Sequence, residues 1–185
     1  MEIKITTKQI LKVLEILSWI IFIGLCVEAG AIIVNTSITL FINPGGVENF
    51  WEGKKYLSSL FAFDRGHFLA LTITMIIVAV LKAIMFYLIV KVFTDKKLKI
   101  SEPFSPELSR FIQNQSYLAV GIGLFSYSGY NFTMWLAEQG VTGADLPSLN
   151  LTGADVWLFM AVILIVIVQI VKRGIEIQKE NDLTI

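Results

Sequence analysis

The chain has 185 residues, of which 55% are hydrophobic and only 16% charged, and its mean hydropathy is +0.71. These values lie outside the usual range of soluble domains, so the composition predicts a protein whose partner and solvent is the lipid bilayer. Fifteen basic residues balance fifteen acidic ones, which gives no reason to expect direct nucleic-acid binding. A single cysteine and a single histidine exclude an intramolecular disulfide and favour neither a metal centre nor a cofactor site.

Four apolar segments are long enough to cross a membrane as helices, which takes about 20 residues each. They cover about 14–42, 68–93, 117–136 and 156–171. The first is longer than required, and the third is richer in glycine, serine and aromatic residues than the others. We therefore predict an all-α fold, a four-helix transmembrane bundle, in which residues 1–185 form a single integral membrane domain.

Basic residues concentrate before the first span, between the second and third, and after the fourth. They are Lys4, Lys8, Lys12, Lys91, Lys96, Lys97, Lys99, Arg110, Lys172, Arg173 and Lys179. Because lysine and arginine in short loops are retained on the cytoplasmic side, this distribution predicts that both termini are cytoplasmic. The segment between the second and third spans ends with Ser105, Pro106 and Glu107, a pattern typical of a capped helix start.

The first outer loop, 43–66, opens with a Pro-Gly turn and then places apolar and charged side chains at near-helical spacing. The apolar ones are Val47, Phe50, Trp51, Leu57, Leu60 and Phe61, and the charged ones are Glu48, Glu52 and Lys55. This pattern predicts an extracytoplasmic interfacial amphipathic helix between spans 1 and 2. Its aromatic side chains would lie at the depth of the lipid headgroups and its charged face in water.

Two charged residues fall inside the predicted spans, Glu28 in the first and Lys82 in the second. A charge near the bilayer centre costs at least about 2.5 kcal/mol on insertion scales, so each of them needs a partner or a purpose. With a rise of about 1.5 Å per residue, their side chains lie at depths within roughly 6 Å of each other. The pair either lines a polar site for proton coupling or an ionic ligand, or fixes the packing of the two spans.

Small and polar residues accompany this pair. Glu28 shares a helical face with Gly24, Ala31 and Asn35, so we expect this stripe to face the bundle interior. The small and hydrogen-bonding residues of the third span, such as Gly123, serve either helix packing or a cavity for a lipid or other amphipathic ligand. The candidate intramembrane polar site consists of Glu28, Lys82, Asn35 and Asn131.

The sequence contains no nucleophile elbow, phosphate-binding glycine loop, zinc-protease helix or pair of catalytic carboxylates. We therefore expect no enzyme, and an intramembrane enzyme stays open only because Glu28 is able to titrate. His67 follows Asp64 and Arg65 at the outer end of the second span. It is either a capping or surface residue or a proton-sensing imidazole.

Two cytoplasmic segments carry a family resemblance. They are 102–107 (Glu-Pro-Phe-Ser-Pro-Glu) and the tail 174–185, which ends in Asp182, Leu183, Thr184 and Ile185. Together with the order of the spans they resemble an uncharacterised bacterial family of small four-span membrane proteins, a domain of unknown function. Members have Phe-Ser or Phe-Thr in the middle loop and end like Gln-x-Glu-x-Asp-Leu-Thr-Ile; the Gly-Lys pair of their middle loop is replaced here by Lys-Ile-Ser at 99–101.

The resemblance covers nearly the whole chain, carries no activity, and implies the bacterial cytoplasmic membrane. Members are often encoded beside a Cro/C1-type helix-turn-helix regulator, which implies a membrane partner for a transcription factor. A regulatory or sensory component that binds such a regulator is our first hypothesis, with candidate contacts at Asp182, Leu183, Thr184 and Ile185. A small transporter, channel or lipid-binding subunit that uses Glu28 and Lys82 is the alternative, and so few spans would then require a homo-oligomer.

Overall fold

The computed structural model describes the backbone of residues 7–95 and 104–182, and every regular element in these two stretches is helical. The five α-helices are α1 (Thr7–Ser37), α2 (Lys54–Phe63), α3 (Arg65–Thr94), α4 (Pro106–Glu138) and α5 (Ala154–Asp182). A π-helical turn, Ile38–Ile42, extends α1, and two short 3-10 helices lie at Pro44–Asn49 and Pro147–Leu149. The all-α prediction is confirmed for this part of the chain.

Three helices of the described stretches are long and apolar enough to cross a membrane: Gln9–Ile42, Arg65–Thr94 and Ala154–Glu180. They contain the first, second and fourth predicted spans. The third predicted span, 117–136, lies within α4, whose 33 residues provide ample length. Glycine, serine, tyrosine and asparagine dilute its hydropathy, so α4 is long enough to span but less apolar than the other three.

Hydrogen-bonding side chains fix where two of the long helices begin. The carboxylate of Asp64 accepts a hydrogen bond from the backbone amide of His67 at 2.8 Å, and this bond lowers the pKa of the Asp64 carboxyl below its usual value. The hydroxyl of Ser105 accepts from the backbone amide of Leu108 at 3.2 Å, and Pro106 lies in the first turn of α4. The predicted cap at Ser105 is therefore confirmed.

The long helices pack side by side in the order α1, α3, α4, α5. Two contacts show that α3 and α4 run antiparallel. Near one end, the Gln115 side-chain amide donates to the Met85 carbonyl at 3.0 Å. Toward the other end, a methyl group placed on Gly129 would lie 3.2 Å from Cγ2 of Thr74.

Helix α1 uses only a narrow face to pack against α3, where the rings of Phe22 and Tyr87 lie 5.9 Å apart. Only 6% of the most apolar part of α1 is buried. Its remaining surface exposes large apolar side chains such as Ile20, Ile23 and Val27. A continuous apolar surface of this kind is unfavourable in water and is satisfied by lipid.

Helix α5 begins beside the middle of α4 rather than beside its end. A methyl group placed on Gly123 would lie 2.7 Å from Cγ of Leu158 and 3.2 Å from the carbonyl oxygen of Ala154. The segment 139–153 therefore folds back along the second half of α4 before α5 starts. Its side chains Leu149 and Leu151 are completely buried, so this connection is part of the packed core.

Residues 43–66, the predicted first outer loop, contain α2 where the sequence predicted a helix, but the apolar side of α2 packs on the protein. Leu57 and Leu60 are completely buried, and the Phe61 ring lies 5.1 Å from the ring of Phe68 on α3. These side chains are withdrawn from a lipid headgroup layer because α3 offers them a hydrophobic contact. Trp51 points away from this contact and is 90% exposed.

Candidate functional site

A cavity of about 320 Å³ lies beside α1. The four residues of the predicted stripe all line it, namely Gly24, Glu28, Ala31 and Asn35. Their spacing of three to four residues places them on one face of the helix. Glycine and alanine leave space at this face because they have little or no side chain. The four residues of the stripe therefore border one cavity, although Gly24 is exposed rather than turned into the interior.

The other walls of the cavity come from three separate parts of the chain. Phe50, Trp51 and Glu52 belong to the connection that precedes α2, and Met75 belongs to α3. Asn150 belongs to the segment that folds back along α4. The cavity is thus bordered by the connection between α1 and α2 and by the segment between α4 and α5, and it is built from residues that lie far apart in the sequence.

Glu28 and Lys82 lie close together but do not form a direct ion pair. Glu28 is six residues beyond Phe22 and Lys82 five residues before Tyr87, so the contact between those two rings places them at similar depths, as predicted. The two charges attract each other electrostatically, but no nitrogen–oxygen distance between them is within 4.0 Å. Both side chains are half-buried.

The ammonium group of Lys82 donates a hydrogen bond to the backbone carbonyl of Asn150 at 3.4 Å. Asn150 has a positive φ of 59°, a conformation that asparagine tolerates better than most residues. This contact ties the middle of α3 to the segment just before α5. Lys82 therefore acts on two partners at once, through a hydrogen bond to one and through electrostatic attraction to Glu28.

The polar atoms that remain free in the cavity are mainly acceptors. The Glu28 carboxylate accepts no hydrogen bond from any described residue, and neither does that of Glu52. Asn35 donates its side-chain amide to the Asn49 carbonyl at 3.0 Å, which leaves its Oδ1 free. A bound molecule would therefore meet two carboxylates and an amide oxygen.

Asn131 does not join this site. It lies exposed on α4 and does not line the cavity. Successive residues of an α-helix turn by about 100°, so Asn131 lies roughly 200° around the helix from Gly129, which packs against Leu151. Of the predicted site residues, Glu28 and Asn35 line the cavity. Lys82 lies close to Glu28 but does not line the cavity.

No sequence pattern predicted Glu52 and Asn150 at the site. Glu52 is exposed, which agrees with its predicted place on a charged face, and it also lines the cavity. Asn150 lies 68 positions from Lys82 along the chain, and only the folding back of residues 139–153 brings them together. The left-handed conformation of Asn150 is a local signal of a turn, but it does not identify the residue across from it.

Two further features lie at the opposite ends of the protein. At the end where α3 begins, the His67 ring lies 5.3 Å from the Trp135 ring, and the His67 Nδ1 atom is 2.9 Å from Oδ1 of Asp64. At the other end, Phe104 and α5 form an open, largely apolar groove of about 800 Å³. A methyl group on Gly174 would lie 2.6 Å from the Phe104 ring, so the glycine permits this contact.

The residues predicted to bind a partner are largely outside the described stretches. Asp182 is the last residue of α5, whereas Leu183, Thr184 and Ile185 lie outside the described residues. The same holds for Lys4 and for residues 96–103, which include Lys96, Lys97 and Lys99.

Three long apolar helices and a largely exposed apolar surface are the features of a helical membrane protein. Residues 51–185 match the family described as "Protein of unknown function (DUF2975)", and the chain belongs to this family. The resemblance to a domain of unknown function is thereby confirmed for residues 51–185, and not for nearly the whole chain as predicted. No curated protein and no solved structure matches the chain. The matched region contains Glu52, Lys82 and Asn150, whereas α1 with Glu28 and Asn35 precedes it.

Proposed function

We propose that this protein is a sensory component of the membrane that binds a small ligand in the cavity beside α1. The observation that carries the proposal is the cavity itself, which combines unpaired carboxylates with an apolar wall. Its volume of about 320 Å³ falls within the range of small-molecule sites, about 300–1,000 Å³. The contact between Lys82 and Asn150 links the cavity region to the start of α5. Occupancy of the cavity is therefore able to influence the helix that leads to the other end of the protein.

The membrane arrangement that fits this proposal has α1, α3, α4 and α5 crossing a bacterial cytoplasmic membrane as a four-helix unit, with both termini in the cytoplasm. The distribution of lysine and arginine supports this orientation. Phe41 and Ile42 at the end of the π-helical turn are 84% and 79% exposed. We assign them to the outer membrane interface, where aromatic side chains are favoured. The cavity then opens from the extracytoplasmic side.

Filling the cavity provides the test. Ala31→Trp places a large side chain inside it, and we expect the purified variant to lose a small molecule that wild-type protein retains in lipid nanodiscs. Native mass spectrometry measures the bound molecule. Val34→Trp is the matched control, because Val34 is on the same helix but 54% exposed, and it should keep the ligand. Equal retention by both variants would exclude the cavity as the binding site.

Recognition of a cytoplasmic transcriptional regulator is the second function that we propose. The observation in its favour is that α5 continues past its apolar part from Lys172 to Asp182 and carries the groove next to Phe104. Apolar side chains such as Ile170 and Ile177 lie in this groove beside Arg173. An amphipathic helix of a Cro/C1-type regulator is a suitable occupant for a groove of this chemistry.

Removal of the tail tests this second function. Deleting residues 179–185 is expected to abolish co-purification of the Cro/C1-type regulator that the family resemblance implies, while membrane insertion remains intact. The deletion leaves the apolar part of α5 unchanged, so insertion is the internal control. Pull-down with the purified regulator measures the result. Undiminished binding would show that the tail is not the contact.

The alternative function, transport by a homo-oligomer, would use the same cavity as part of a path across the membrane. A transporter or channel requires a path to both sides of the membrane. On α1 the cavity extends only from Gly24 to Asn35, and α1 continues from Gly24 back to Thr7 without lining it. This geometry supports a binding site closed toward the cytoplasm, so we rank ligand sensing above transport.

A further inference from the structure

We propose that the cavity recognises the ammonium group of an organic amine, either a free molecule or the amine headgroup of a lipid. This proposal rests on the proposed function, because it names the class of ligand for the same cavity. Three properties of the lining favour such a ligand: the free hydrogen-bonding atoms, the balance of charge, and the apolar and aromatic surface.

The hydrogen-bonding atoms of the cavity complement a donor. An alkylammonium group has three N–H donors and no acceptor. The free acceptors are the carboxylates of Glu28 and Glu52 and the Oδ1 atom of Asn35. Asn150 adds one side-chain amide, which offers both a donor and an acceptor. A carboxylate or phosphate ligand would instead place its own acceptor oxygens against the acceptor oxygens of Glu28 and Glu52.

The balance of charge also favours a cation. Two carboxylates line the cavity, Glu28 from α1 and Glu52 from the connection before α2, and the ammonium group of Lys82 on α3 interacts electrostatically with Glu28. Lys82 does not line the cavity and is engaged by the Asn150 carbonyl, so it offsets only part of the charge of Glu28. The carboxylate of Glu48 forms an ion pair with the ammonium group of Lys54 at 2.7 Å. Because these two charges cancel, they do not change the net charge of the region. The lining therefore retains about one negative charge.

The rest of the lining fits the organic part of such a ligand. Val27, Ile32 and Met75 provide an aliphatic wall. Phe50 and Trp51 add aromatic faces, which attract cations as well as apolar groups. The site therefore combines acceptors for an ammonium group with a surface for an attached hydrocarbon or ring. An inorganic cation would bind to the acceptors but would leave the apolar surface of the cavity without a contact.

The test uses three small probes with the same phenyl ring and different polar groups: benzylammonium, benzyl alcohol and benzoate. Trp19, Trp135 and Trp157 are replaced by phenylalanine, so that Trp51 at the cavity reports binding by its fluorescence. The protein is reconstituted in phosphatidylglycerol nanodiscs, and the signal from empty nanodiscs is subtracted.

We expect benzylammonium to bind at least about tenfold more tightly than benzyl alcohol, and benzoate to bind more weakly than either. Glu28→Gln and Glu52→Gln should each weaken benzylammonium about tenfold and leave benzyl alcohol unchanged. Glu138→Gln, which removes an exposed carboxylate from the end of α4, is the matched control and should have no effect.

The outcomes separate this proposal from the one on which it rests. Equal binding of benzylammonium and benzyl alcohol, or preferred binding of benzoate, would overturn the amine assignment and leave a ligand cavity. No response of Trp51 to any probe would overturn both. Nanodiscs that contain phosphatidylethanolamine distinguish the sources of the amine. A loss of about tenfold in benzylammonium affinity there indicates a lipid headgroup, whereas unchanged affinity indicates a free amine.

Discussion

Replacing Gly123 by valine is expected to lower the midpoint temperature of thermal unfolding by about 5–10 °C, because it destabilises the fold by roughly 2–3 kcal/mol. The Cβ atom alone would approach Cγ of Leu158 to 2.7 Å and the carbonyl oxygen of Ala154 to 3.2 Å. Backbone on one side and the branch point of the half-buried Leu158 on the other leave little freedom to adjust. Helix α5 would have to move away from α4.

Gly30→Val is the matched control for this substitution. Gly30 also lies inside a long helix, but nothing is within 4 Å of the position that its Cβ would take. Valine has a slightly higher helix propensity than glycine, so this variant should be unchanged or marginally more stable. Thermal unfolding in the same detergent, followed by circular dichroism, compares the two. Equal midpoints for both variants would contradict the packing of α4 against α5 described above.

The contact at Gly123 decides between two interpretations that the sequence left open. Small residues in the third predicted span were compatible with helix packing and with a ligand cavity. At Gly123 the structure shows packing, since the space that a side chain would fill is taken by Leu158. The cavity lies instead beside α1. Composition alone does not distinguish these cases, because a missing side chain leaves space for a neighbouring helix as readily as for a ligand.

The sequence was most informative where the signal is periodic along one helix. The apolar runs located three helices that are able to span a membrane, and the three-to-four spacing placed Glu28 and Asn35 on one face. Antiparallel connection of adjacent helices brought Glu28 and Lys82 to similar depths. These inferences need only the rise and twist of a helix.

Prediction was weakest where irregular backbone determines the contacts. No pattern in the sequence places segment 139–153 against a helix, yet it folds back along α4 and supplies Asn150 to the cavity. Leu149 and Leu151 of this segment are buried, but no pattern in the sequence distinguishes them from exposed loop residues. A turn residue such as Gly153 indicates that the chain bends but not toward which element. For the same reason, a hydrogen bond between Lys82 and a carbonyl in this segment had no local signal.

Lys82→Met is expected to destabilise the protein by roughly 2 kcal/mol, which corresponds to a fall of about 4–8 °C in the unfolding midpoint. The substitution keeps an unbranched side chain but removes the donor to the Asn150 carbonyl and the positive charge near Glu28. Lys82→Arg keeps charge and donors and serves as the control, with a smaller loss. Thermal unfolding in nanodiscs measures both variants. A stability of Lys82→Met equal to wild type would show that neither interaction contributes.

The double variant with Glu28→Gln separates the two interactions of Lys82. Glu28→Gln alone should have a small effect, because the carboxylate accepts no hydrogen bond from the described residues. Combined with Lys82→Met it should recover about 1 kcal/mol, since no uncompensated charge then remains in the low-dielectric interior. The loss of stability that remains in the double variant is then due to the missing hydrogen bond between Lys82 and the Asn150 carbonyl. If the two effects simply add, Glu28 and Lys82 are independent, and the charge of Glu28 is then available in full to a ligand in the cavity.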